Sequence, residues 1–238
     1  MGEGFGAKIV YTFAEDFPLL GGFKVTETLT TMWILTAIIM LAVLLLVRNF
    51  EKIPRGVQNA VEIAVSAIYN LTATTMGEDK MQFAPYIGTL LIYIAVMNLS
   101  GMFAIRPPTA DLNTTLSLAL MTFFLIHYNG IKSKGIGGYI KGFTEPMAVI
   151  TPINIIGELA TPISLSFRLF GNLVGGLIIM SLIYSALANL SLGLGISVPI
   201  FQFGIPVVLH GYFDLFSGLL QTFIFAMLTM IFVSGSME

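Results

Sequence analysis

The chain has no cysteine, which excludes disulfides and thiolate-held metals. Charge is nearly as scarce: 10% of the 238 residues are charged against 56% apolar, and mean hydropathy is +0.90. Soluble domains carry roughly 25% charged residues, so a water-soluble globule is excluded. Neither sign of charge dominates, with a net charge of −2. No Lys/Arg cluster with interleaved aromatics is present, so nucleic acid is not expected as a partner. A Gly-rich phosphate loop is also missing, as are an HExxH motif, a paired-Asp motif and a Ser–His constellation. Neither nucleotide hydrolysis nor intramembrane proteolysis therefore finds its residues here, and no cofactor or metal is called for. The first 27 residues have no basic lead into a short apolar core and carry Glu3, Glu15, Asp16 and Glu27. They do not read as a cleavable signal peptide, and the first apolar span is expected to stay in place as the insertion signal.

What the chain does have is long uncharged runs. No Asp, Glu, Lys or Arg occurs in Thr28–Val47, Met81–Ile105 or Leu112–Ile131, and only Arg168 and Asp214 occur in Leu159–Met237. Runs of about 20 apolar residues cross a ~30 Å hydrocarbon core as helices. The pattern predicts an all-α membrane protein with five crossings: an outer segment over 1–27, then a single membrane domain over 28–238. Residues 57–76 carry Val57, Val61, Val65, Ile68 and Thr72 at helical spacing. That fits an amphipathic helix on the cytoplasmic surface and equally an ordinary bundle packing face. The loop after the first span holds Arg48, Lys52 and Arg55, and "KSKGIGGYIKG" holds Lys132, Lys134 and Lys141. By the positive-inside rule both are cytoplasmic, so the N-terminus lies outside and the C-terminus inside. "RPPTADLN" then forms an outer loop in which Asp111 or Asn113 can cap the next helix. The stretch 143–162, with Pro146, Pro152 and Pro162, reads as too broken for a regular span. The last two spans, Leu159–Leu187 and Val198–Ser234, are 29 and 37 residues long, about 43 and 55 Å if unbroken. Such lengths predict strong tilt.

Arg168 sits some ten residues into its segment, about 15 Å from the cytoplasmic end. A basic group at that depth costs roughly 2.5–3.5 kcal/mol on insertion scales, and arginine cannot escape by losing its proton. It is a fixed cation, suited to attract a carboxylate or repel ions, unless it only pairs with an acid and holds helices together. Asp214 and Gln221 are seven apart and share a helix face, with His210 and Ser217 on nearly the same side. Asn172 lies one turn outward of Arg168, while Ser164 and Glu158 lie inward. Two polar tracks result, His210, Asp214 and Asn172 from outside and Ser164 and Glu158 from inside, meeting at Arg168 and Gln221. Gln221, Ser164 and Asn172 individually also fit helix–helix hydrogen bonding. His210 fits an interfacial residue as well as a path member, and His127 an interfacial one.

"SLSFRLFGN" followed by "LLQTFIFAMLTMIFVS" resembles subunit a of F-type ATP synthases, as do "RPPTADLNTTLSLAL" and "PINIIGELATPISL". The resemblance spans the chain from about residue 27. It implies an ion-conducting stator, itself non-catalytic, in the bacterial plasma membrane, exchanging H⁺ or Na⁺ with a rotating c-ring and held by the b-subunit stalk. Arg168 matches the arginine that faces the c-subunit carboxylate and Gln221 the glutamine opposite it. Asn172 and Asp214 match outer half-channel positions, and Glu158 with Ser164 the inner side. This chain departs from some members in having Leu177 nine residues after the arginine, where they carry an acid, and Asp214 where they carry histidine. Asp214 is therefore expected to serve alone as the outer relay. The other reading of the residues is a secondary transporter binding an anion at Arg168, but the internal repeat common in that class is missing.

Overall fold

The computed structural model describes residues 7–12, 22, 24–48, 50–103, 105–145, 147–195 and 200–238. A small antiparallel hairpin, β1 (Ile9–Thr12) with β2 (Lys24–Thr26), precedes the helices and pairs Tyr11 with Val25. Seven helices follow: α1 (Glu27–Val47), α2 (Val57–Met76), α3 (Ala84–Leu99), α4 (Leu112–Thr144), α5 (Thr151–Gly193), α6 (Ile205–His210) and α7 (Gly218–Met237). A π-helical segment, Gly211–Ser217, joins α6 to α7. With their flanking turns, five stretches are long and apolar enough to cross a membrane: Glu27–Val47, Glu78–Phe103, Leu112–Thr144, Ala148–Gly193 and Ile205–Met237. The molecule is an all-α multi-pass membrane protein.

Small and polar residues lock α3, α4, α5 and α7 together. Leu90, Ile94, Met97, Leu118, Leu165, Leu169 and Phe225 form one buried cluster, and Met76, Phe83, Ile87, Ile126, Met230 and Val233 a second. Lipid tails are as apolar as leucine, so packing and interhelical hydrogen bonds must supply the specificity. Thr115 bonds Ser166 across α4 and α5 at 3.0 Å, and Thr122 bonds Thr229 across α4 and α7 at 3.3 Å. Asp111 caps α4 by accepting from the Asn113 amide at 3.0 Å and from the Thr28 hydroxyl at 3.1 Å. Lys80 donates to Ser234 at 2.9 Å and to Glu238 at 3.0 Å; that hydrogen bond holds the exposed Glu238 carboxyl below its usual range. Helix α2 packs on the bundle through its C-terminal half. Ile68 packs on Gly88, and Thr72 and Met76 are buried, while most of its N-terminal half is uncovered.

Two expectations are corrected. The stretch 143–162 is not too broken to span: α5 is one helix from Thr151, 43 residues long, or about 64 Å at 1.5 Å per residue. Pro152 falls in its first turn, where a missing amide costs nothing, and Pro162 is buried inside the helix. Pro146 lies outside the described residues. The basic "loop" 132–142 is helical on both sides of Gly135, which sits at φ 72 and ψ 161. The chain bends there so sharply that the Tyr139 hydroxyl lies 2.9 Å from His127 Nδ1. Twelve residues of unbroken helix would hold the two about 18 Å apart. The last span, expected over Val198–Ser234, is one continuous helical stretch over Ile205–Met237, with a π segment inside it. Val198 and Pro199 lie outside the described residues.

Gly135 gives a direct test. Its backbone lies in a region open essentially to glycine alone, where another residue costs of order 1–3 kcal/mol. Nothing lies within 4 Å of an added Cβ, so strain is the only penalty. Gly135→Ala is expected to lower thermal stability by that order and to weaken protection of the 136–144 amides in hydrogen exchange. Unchanged exchange there would refute the assigned backbone.

Candidate functional site

Helix α5 carries Glu158, Ser164, Arg168 and Asn172 over four turns. The side it leaves uncovered runs through Ala160, Ser164, Phe167, Arg168 and Gly171, all exposed. Small residues one turn either side of Arg168 let another backbone come close. Among the described residues, no hydrogen-bond or ion-pair partner reaches the Arg168 guanidinium. The cation is not consumed by an acid of its own chain.

On one side of Arg168 the bundle is hollow. A cavity of about 190 Å³ is lined by Arg168, Ser164, Thr161, Leu228 and Phe232. A larger one of about 760 Å³ shares Gly157, Thr161 and Phe232 with it, and is lined also by Glu158, Asn154, Tyr139, Lys134 and Ser236. Glu158 and Ser164 thus line two adjoining cavities, the smaller of which reaches Arg168. Pro162 adds polarity here. It has no amide to offer the carbonyl four residues earlier, so the Glu158 carbonyl lacks its intrahelical donor. The bend at Gly135 builds the far wall, because Tyr139, Gly142 and Phe143 of the bent-back turn line the larger cavity. Asn154 on α5 holds that turn by donating to the carbonyls of Phe143 at 2.8 Å and Glu145 at 3.2 Å.

On the other side of Arg168 the polar residues pair directly. His210 Nδ1 lies 2.6 Å from Asp214 Oδ2. The Asp214 carboxylate sits against Gly101, whose Cβ, if present, would be 3.9 Å from it. The Ser217 hydroxyl donates to Asn172 Oδ1 at 2.9 Å, and the Asn172 amide reaches back to the Ser217 carbonyl at 3.4 Å. Two expected partners, one from each helix, therefore meet. Gln221 is 6% exposed, and its Nε2 is buried without a partner. No hydrogen bond joins Gln221 to Arg168.

Several polar residues here had no assigned role from sequence. Asn98, fully buried on α3, donates to the Gly218 carbonyl at 2.9 Å and to Thr222 Oγ1 at 3.0 Å, and accepts from Thr109 at 2.7 Å. An amide within the uncharged run Met81–Ile105 was the available signal. Tyr184 bonds His210 Nε2 at 3.1 Å. His127, expected to be interfacial, pairs with Tyr139, and nothing in the spacing of the two residues foretells this.

A family model described as ATP synthase A chain matches residues 29–234. The chain is 35% identical over 245 residues to "ATP synthase subunit a, sodium ion specific" of Propionigenium modestum, covering 93% of this chain and 80% of that one. It is 36% identical over 217 residues to "ATP synthase subunit a 3" of Pelobacter propionicus, covering 89% and 88%. It is 32% identical over 217 residues to "ATP synthase subunit a" of Moorella thermoacetica, covering 91% and 93%.

Proposed function

This chain belongs to the ATP synthase A chain family, the ion-conducting stator subunits in the membrane sector of F-type ATP synthases, and on that premise we propose how its residues conduct. Arg168 faces the carboxylate of each passing c-subunit. Glu158 and Ser164 line an inner half-channel, and His210, Asp214, Ser217 and Asn172 an outer one. Gln221 lies between the two routes. Residues 28–238 form the ion-translocating domain, with the N-terminus outside, the C-terminus in the cytoplasm of a bacterial cell and the b-subunits alongside. The chain makes no covalent change itself.

The observation that carries this reading is the unpartnered Arg168 guanidinium on an uncovered helix face, at the head of a hollow. A cation held ready for a partner's anion has these properties, whereas helix glue would be paired. An ion arriving by one route neutralises a c-ring carboxylate, which can then enter lipid. On reaching the other route the group meets Arg168, which favours its anionic form and so releases the ion. At ~4 Å and an effective dielectric of ~20 the attraction is about 4 kcal/mol before desolvation, or almost three pKa units on the partner acid. The coupling ion is H⁺ or Na⁺, the latter supported by the sodium-specific relative.

The absence of native cysteine makes the interface testable. Single variants Ser164→Cys and Gly171→Cys place a thiol one turn either side of Arg168. Each is expected to form an oxidant-induced disulfide with a cysteine set beside the c-subunit carboxylate. No cross-link at either position would sink the proposed contact.

A further inference from the structure

The His210–Asp214 pair does not stand alone. His210 lies between two partners: Nδ1 at 2.6 Å from Asp214 Oδ2 and Nε2 at 3.1 Å from the Tyr184 hydroxyl. Tyr184 is held within α5, and the Gln202 side-chain amide also donates to its backbone carbonyl at 2.8 Å. With Asp214 ionised, Nδ1 must carry the hydrogen, so Nε2 is left to accept from the tyrosine. Without the tyrosine the ring could turn about its side-chain torsions and surrender the Asp214 contact. The side chain of His210 is 43% exposed and that of Asp214 only 16%. The imidazole is therefore open to water, while the carboxylate behind it is largely covered.

We propose that Tyr184 is a positioning residue of the outer route: it fixes the tautomer and orientation of His210, which passes protons one at a time between water and Asp214. The inference rests on the outer-route reading above, with H⁺ as the ion carried, and adds an unassigned residue to it. A proton from water bonds to Nε2, and the Tyr184 hydroxyl turns from donor to acceptor. The imidazolium then gives its Nδ1 proton to Asp214. The ring is left neutral with its hydrogen on Nε2 and returns to the starting tautomer by exchange with water. No oxidant or other reactant is needed. Among the described residues, the titratable groups bonded to His210 are Tyr184 from α5 and Asp214 from the π segment that follows it. On the Asp214 side the outer loop presents Gly101, and the cation of that loop, Arg106, reaches the Ala110 carbonyl at 3.5 Å.

The variant Tyr184→Phe removes the hydroxyl and keeps the ring. In the complete ATP synthase reconstituted in liposomes, proton-driven ATP synthesis should fall about fivefold, the worth of one hydrogen bond. Its dependence on outside pH should also change, because the imidazolium loses a hydrogen-bond partner. Gln202→Ala, which removes the amide docked on the Tyr184 carbonyl, should give smaller changes of the same kind. It keeps the test open if Tyr184→Phe fails to assemble. Wild-type rates with an unmoved profile in both variants would overturn the proposal, and so would a slower rate with an unmoved profile, which marks a packing role. Asp214→Asn, measured alongside, separates the two levels. If it is slow while Tyr184→Phe is wild-type, the outer route stands and Tyr184 is dismissed. If it is itself wild-type, the outer route fails and the inference with it.

Discussion

Arg168→Ala is expected to abolish ion-driven ATP synthesis while leaving the subunit folded and assembled. Both halves of that expectation follow from the same observation. The guanidinium is exposed and, among the described residues, has no hydrogen-bond or ion-pair partner. Its removal therefore orphans no group and opens no hole in the core, and intramembrane cations are costly rather than stabilising. What is lost is the attraction for a partner's carboxylate, about 4 kcal/mol at ~4 Å and an effective dielectric of ~20. At 1.36 kcal/mol per tenfold, ion release from the c-ring should slow by about three orders of magnitude. With the fixed cation gone, nothing repels an ion between the two routes, and passive leak should rise. Arg168→Lys refines the test. Lysine can lose its proton in a poorly hydrated site, so it should rescue only in part. The measurement pairs ATP synthesis in proteoliposomes with the subunit composition of the purified complex. Synthesis near wild-type rates, or a complex lacking this subunit, would refute the role given to Arg168.

The residues most legible in the sequence were those whose burial would be expensive. A lone arginine in an uncharged stretch announces itself, and so does an Asp four residues after a His, which the structure joins at 2.6 Å. Long apolar runs announced the helices for the same reason, since backbone polar groups in lipid must bond within the segment. Proline misled in 143–162 because its cost depends on position. Pro152 lies in a first turn, and Pro162 frees only one carbonyl, beside a cavity. Glycine misled in the opposite way, for "KSKGIGGYIKG" looks like a loop, yet Gly135 alone takes the left-handed conformation and its neighbours remain helical. The π segment Gly211–Ser217 left no signal at all, because one extra residue per turn does not alter composition. It widens the pitch locally inside a span that periodicity alone reads as one regular helix. Tyr184 was hidden because an aromatic near a helix end is ordinary in a membrane protein, and only the fold brings it to His210.

The second large effect is expected at Asn98, which touches no ion route directly. Its side chain is wholly buried and serves three groups: the Gly218 carbonyl, Thr222 Oγ1 and the Thr109 hydroxyl. Gly218 begins α7 where the π segment ends, so Asn98 fastens the joint between the Asp214 and Gln221 portions of the chain. In Asn98→Ala the Gly218 carbonyl keeps its bond from Thr222 Oγ1 at 2.9 Å. Thr109, itself fully buried, is left without its 2.7 Å acceptor. One buried orphan costs about 1–3 kcal/mol, and the vacated volume adds to it. Membrane hydrogen bonds measured by double-mutant cycles average only about 0.6 kcal/mol, so the orphan and the hole, more than the lost bonds, decide the outcome. A design follows from that asymmetry: Asn98→Leu with Thr109→Val replaces both partners by apolar groups and leaves no orphaned hydroxyl. Thermal unfolding of the purified complex should show Asn98→Ala lowered by several degrees and the double variant restored most of the way. Coupled ATP synthesis should remain depressed in both, because neither fastens Gly218 to α3. A double variant less stable than Asn98→Ala would show that the bonds themselves hold the joint. Full activity in the double variant would show that the joint need not be held at all.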